Sequence, residues 1–90
     1  MATVKIPTPL RVTTADLDTV QGSGDDLISV IENLESQFPG IRERLLDENN
    51  ELRRFVNIFI NGEDVRFLDG LNTSITASDE ISIVPAVAGG

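Results

Sequence analysis

One long apolar stripe of helical period runs through the chain: Leu27, Val30, Ile31, Leu34 and Phe38. A helix with one apolar face has to bury it against something, and every other strong apolar pattern in the chain has the period of a strand. The helix therefore belongs on a sheet. Gly22-Ser23-Gly24 interrupts the preceding pattern, and Ser23 or Asp25 is placed to cap the helix. Asp25 and Asp26 fall in its first turn, where the helix dipole favours negative charge. Pro39-Gly40 ends it, a shorter helical turn is expected over Ile41 to Leu46, and Asp47 to Glu51 is a polar loop.

The strands read as follows. Thr3 to Arg11 alternates through Val4, Ile6 and Leu10, with Pro7 and Pro9 on the other parity. Proline cannot donate to a ladder, which predicts an edge strand or one irregular at its far end. A second short strand is expected over Leu17 to Gln21, joined by a loop around Thr13 to Asp16. Arg54 to Ile60 is the strongest strand in the chain. Asn61-Gly62 turns it back into a return strand carrying Val65 and Phe67, and Asp69-Gly70 marks another turn. The last strand spans Glu80 to Pro85, with Ile81 and Ile83 on one face. The order of hairpin, helix, short helix, hairpin and final strand predicts an α+β chain of the β-grasp (ubiquitin-like) class: a mixed four- or five-stranded sheet with one main helix packed on one face. Residues 1–85 form the domain and residues 86–90 a flexible tail.

Ninety residues leave room for one core. Without Cys or His the chain offers no disulfide, no zinc or iron–sulfur ligand set and no His-based acid/base catalysis. No metal site and no catalytic residue is assigned. The net charge of −8 argues against nucleic acid or an anionic membrane surface as partner and suits steering toward a basic one. No apolar run approaches the ~20 residues of a membrane helix, and no signal-peptide order is present, so the expected compartment is the cytoplasm.

Two features remain as carriers of function. Val56, Ile58 and Ile60 share the face expected under the helix; Phe55, Asn57 and Phe59 share the other, which has no helix over it. Phe55 and Phe59, joined by Val84 of the last strand, form a candidate partner-binding patch. The tail, Ala86-Val87-Ala88-Gly89-Gly90, is small, uncharged until its terminus and roughly 17 Å long when extended. Lacking β-carbons, Gly89 and Gly90 fit a narrow channel and present the Gly90 carboxylate to another enzyme's nucleotide site. The Gly22-Ser23-Gly24 loop lacks the remaining glycines and the lysine of a phosphate loop, and Asp25 and Asp26 would repel phosphate.

The stretch from Arg54 through Asn61-Gly62 to Phe67, and the ending from Asp79 to Gly90, resemble sulfur carriers of the MoaD/ThiS superfamily. Ile6-Pro7-Thr8-Pro9-Leu10, Pro39-Gly40-Ile41 and Arg44-Leu45 extend the similarity over most of the chain. Pro85 followed by Ala86, in place of a double proline, is most similar to the CysO-type branch. The resemblance implies a carrier, not an enzyme. An E1-like adenylating and sulfur-transferring enzyme would activate Gly90 with ATP and magnesium and convert it to a thiocarboxylate. Val87, Ala88 and Gly89 would form the tail inserted in the partner. The sulfur would pass to an acceptor such as a pyridoxal-phosphate (PLP)-dependent cysteine synthase, and a metallopeptidase would release the product. ATP, magnesium and PLP belong to these partners, with no cofactor held stably by the chain itself. The alternatives are the small subunit of molybdopterin synthase and a ubiquitin-like protein modifier.

Overall fold

Ala2, Val4 and Ile6 are buried while Thr3 and Lys5 between them are not, the alternation of a strand with one covered face. In the computed structural model, which describes residues 1–85, this segment is β1 (Ala2–Lys5). β2 (Thr19–Gly22) pairs with it antiparallel, Val4 abreast of Val20. After helix α1 (Leu27–Gln37) and the short α2 (Ile41–Leu45) come β3 (Val56–Ile60), β4 (Glu63–Asp64) and β5 (Glu80–Pro85). The five strands form one sheet in the order β2-β1-β5-β3-β4. β5 is its centre, parallel to β1 and antiparallel to β3.

The α1 stripe does what its period predicts: Leu27, Val30, Ile31 and Leu34 are buried with Val4, Val20, Ile58, Ile60, Ile81 and Ile83 of the sheet. Phe38 is the C-cap residue and packs half-buried against that core. The N-cap is neither Ser23 nor Asp25 but Asp26, whose Oδ1 accepts from the Ser29 amide at 3.0 Å. α2 is closed onto α1 by Glu35, whose carboxylate accepts from the amides of Arg42 (2.9 Å) and Gly40 (3.1 Å).

Several expected boundaries move, each for a local reason. β1 stops at Lys5, and Thr8–Leu10 form a 3₁₀ turn because Pro7 and Pro9 supply no ladder donors. The strand is irregular at its far end, as one of the two expectations had it, but it lies inside the sheet rather than at an edge. β2 begins at Thr19, leaving Leu17 exposed; the buried Thr14 hydroxyl donates to the Leu17 carbonyl at 2.9 Å and closes the loop. Asn61 and Gly62 both take positive φ, as the tight turn requires. The return strand is only Glu63–Asp64, and Val65–Phe67 is a 3₁₀ turn. Asp64 causes the change: its side chain accepts from the Arg66 amide at 2.9 Å and turns the backbone out of the ladder. Val65 is buried by this turn and Phe67 is left 87% exposed. Asn61 also ties the hairpin to the start of β5, accepting from the Glu80 amide at 3.0 Å and donating to Asp79 at 2.9 Å.

Candidate functional site

Antiparallel pairing sets Pro85, the last described residue, abreast of Val56, the first residue of β3. The chain therefore continues toward the tail from the centre of the sheet, at the rim occupied by Arg53, Arg54 and Phe55. Gly90, Gly89, Ala88 and Val87 lie outside the described residues.

The residues proposed as a patch surround this point. Asn57 pairs with Val84 and Phe59 with Ser82, so these side chains share the sheet face opposite α1. Val84 is 44% exposed and Phe55, just before β3, is 58% exposed. Phe59 is half-buried, and Thr3, Lys5 and Ser82 continue the same face toward β1. Lys5 pairs with Glu80 at 3.3 Å, both side chains being more than half exposed. The face is thus apolar at the Pro85 end and charged at the other.

Arg66 was not singled out from the sequence, yet it shapes this rim. β4 covers only Phe59 and Ile60 of β3, leaving the first part of that strand without a neighbour on its outer edge. Arg66 fills the gap. Its Nη2 donates to the carbonyls of Val56 (2.9 Å) and Arg53 (3.0 Å), and its Nη1 donates to the Asn57 side chain. One guanidinium thereby holds the β3 end that faces Pro85. Phe67 was expected in a strand, and its exposure follows from the Asp64 turn. The signal was present in the sequence: an Asp two residues before Arg66 is the pattern of an Asx turn.

Three carboxylates titrate below their ordinary range, none of them at this rim. The hydrogen bond from Ser29 lowers Asp26, the Arg42 amide and then the Gly40 amide lower Glu35, and the Thr76 amide followed by the Asn61 side chain lowers Asp79. These are structural caps. Among the described residues no cluster of His, Cys, Asp or Glu could hold a metal ion, and no helix is long and apolar enough to cross a membrane.

The arrangement, a folded body with an apolar patch beside the root of a terminal tail, has counterparts among known proteins. The ThiS family model matches residues 4–90. The sulfur carrier protein CysO of Mycobacterium tuberculosis is 52% identical over 90 residues, covering 98% of this chain and 97% of that protein. The crystal structure of the M. tuberculosis CysO superposes with a TM-score of 0.92 at 49% identity, covering 97% of this chain and 100% of the other. The CysO of the Amycolatopsis orientalis BexX/CysO complex gives a TM-score of 0.94 at 42% identity, with both chains covered completely. The fold is the ubiquitin-like β-grasp, five-stranded, as expected. This chain belongs to the ThiS family and is a homologue of the sulfur carrier CysO.

Proposed function

We propose that this chain is a sulfur carrier whose reactive group is the Gly90 carboxylate. The observation that carries the reading is the position of β5: the tail grows from the central strand of the sheet, next to an exposed apolar patch, in a chain 52% identical to CysO over nearly its whole length. A carboxylate oxygen is a poor leaving group. An E1-like enzyme would therefore let that oxygen attack the α-phosphorus of ATP, expelling pyrophosphate and forming an acyl-adenylate, with magnesium held by the enzyme. A sulfur donor then displaces AMP and leaves a thiocarboxylate. The thiocarboxylate is a tethered nucleophile, so sulfur reaches its acceptor without being released as sulfide.

In the cysteine-forming route, the acceptor is an aminoacrylate on PLP in a cysteine-synthase-like partner, and a metallopeptidase frees the amino acid afterwards. Phe55, Phe59 and Val84 dock the body while Val87, Ala88 and Gly89 enter the partner's channel. The CysO of A. orientalis occurs in a complex with BexX, which supports a life spent docked on a partner protein. On this reading the chain is a co-substrate rather than a catalyst, and it needs no resident cofactor.

The test is the intact mass after incubation with ATP, a sulfur donor and an E1-like enzyme from the same cell. One sulfur replacing one oxygen at Gly90 is the expected result. Deleting Gly89-Gly90 is expected to leave thermal unfolding unchanged, since the last described strand ends at Pro85, and to abolish the mass change. Equal sulfur loading of the truncated chain overturns the mechanism. Isopeptide-linked ladders in the cell, without a thiocarboxylate, would point instead to a protein modifier.

A further inference from the structure

The chain carries 15 acidic against 7 basic residues, and that balance suggests a basic partner. The fold distributes the charge differently. Arg53 and Arg54, both exposed, stand beside Phe55 at the rim where Pro85 meets Val56. Arg66, also exposed, holds the carbonyls of Arg53 and Val56 and so places a third guanidinium on the same rim. Among the described residues the ion pairs are Lys5 with Glu80 and Arg42 with Glu32, so none of these three arginines has a described carboxylate as partner.

Glu43, Asp47, Glu48 and Glu51 lie nearby, but none of them forms an ion pair with these arginines among the described residues. Asp47 lines the recess shared by Arg53, Arg54 and Phe55, but its Oδ1 is occupied by the amides of Asn49 (2.8 Å) and Glu51 (3.1 Å). Glu48 and Glu51 are exposed on the loop behind it. Arg53 is oriented by Nε donation to the Glu43 carbonyl at 2.8 Å, a backbone group that leaves the charge intact. The opposite end of the sheet carries Asp25, Asp26, Glu63, Asp79 and Glu80, with Lys5 and the Met1 amino group as nearby cations. Guanidinium groups without an ion-pair partner among the described residues therefore gather where the tail starts, while the far end of the sheet is mainly acidic.

We propose that Arg53, Arg54 and Arg66 form a cationic collar at the root of the tail, matched by an acidic rim around the channel of the enzyme that activates Gly90. The inference rests on the carrier reading and adds the chemistry of the docking surface. Three features support it. The collar stands beside Pro85, the last described residue before the tail. It borders the apolar patch, giving the layout of an apolar centre with a charged edge. Arginine is also the cation best suited to such an edge: the terminal nitrogens of Arg53 and Arg54 make no hydrogen bond among the described residues and can meet a carboxylate with two parallel bonds, while Arg66 adds charge.

The experiment uses the full chain and the enzyme that gives the Gly90 mass change with wild type. ATP–pyrophosphate exchange is measured against carrier concentration at about 50 mM and about 500 mM NaCl, either side of the salt at which the screening length is ~10 Å. Arg54 makes no side-chain hydrogen bond among the described residues, so Arg54→Glu and Arg54→Gln are expected to fold as wild type does, which thermal unfolding checks. At low salt Arg54→Glu should raise KM about tenfold with kcat nearly unchanged, Arg54→Gln should fall between, and high salt should narrow the gap. Glu63→Arg, at the far end, should leave both constants as they are. An Arg54→Glu KM that is unchanged or lower, or a larger effect from Glu63→Arg, overturns the collar while leaving the carrier reading standing. If no enzyme of the cell supports exchange with the wild-type chain, the carrier reading fails and the collar falls with it.

Discussion

Glu35 shows how much a single half-buried side chain can organise. Both of its oxygens accept from the Gly40 amide and one also takes the Arg42 amide, so it closes the bend at Pro39-Gly40 and caps α2. Those bonds favour the ionised form and hold its pKa below the ordinary carboxylate value. A depressed folded-state pKa gives stability that is complete above the unfolded-state value and is lost as pH falls through the folded one. The expected outcome is that Glu35→Gln lowers the thermal midpoint at neutral pH, and that its deficit relative to wild type narrows as pH falls below the ordinary glutamate range and through the lowered pKa. The difference between the two proteins is the quantity to measure, because protonating the remaining carboxylates relieves the net negative charge in both, −8 in wild type. None of this was legible in the sequence. The bond spans five to seven residues and depends on how the chain turns after α1.

At the scale of elements, the packing of α1 on the sheet depends on Gly22. This residue ends β2 beneath the helix, and an added β-carbon would sit 2.8 Å from Val30 Cγ1 and 3.4 Å from Leu34 Cδ2. Val30 is β-branched and stiff in a helix, so it cannot swing away. Gly22→Ala should therefore push the helix outward and cost about 1–3 kcal/mol, read from the midpoint of denaturant unfolding. The elements themselves were largely visible in the sequence, because periodicity reports burial directly. The α1 stripe and the bounds of β5 came through unchanged. What the pattern could not show was where a side chain would replace a ladder bond. Pro7 and Pro9 shortened β1, Asp64 bent the return strand into a 3₁₀ turn, and Asp26 rather than Asp25 took the capping position. In the two strands an apolar residue still falls on the expected parity, so the alternation alone gave no warning. The patch was legible for the same reason: Phe55 and Val84 lie on the uncovered face because residues of one parity must. Arg66 was not, since its role arises from a gap at the edge of β3 that only the shortness of β4 creates.

For the molecule as a whole, the central position of β5 has a mechanical consequence. β1, near the start of the chain, and β5, its last described strand, run side by side and parallel. Force applied between the N-terminus and the tail pulls these strands along their lengths in opposite directions. The bonds between them must then give way together rather than one after another, as they would if a strand were peeled from an edge. In a force-extension measurement, pulling through the two termini should meet a high single rupture, whereas pulling between a residue of β4 and the N-terminus should peel that edge strand at lower force. A body built this way can have its C-terminus drawn into a tight channel, modified there and withdrawn, with the load carried by the middle of the sheet and the fold ready for another round.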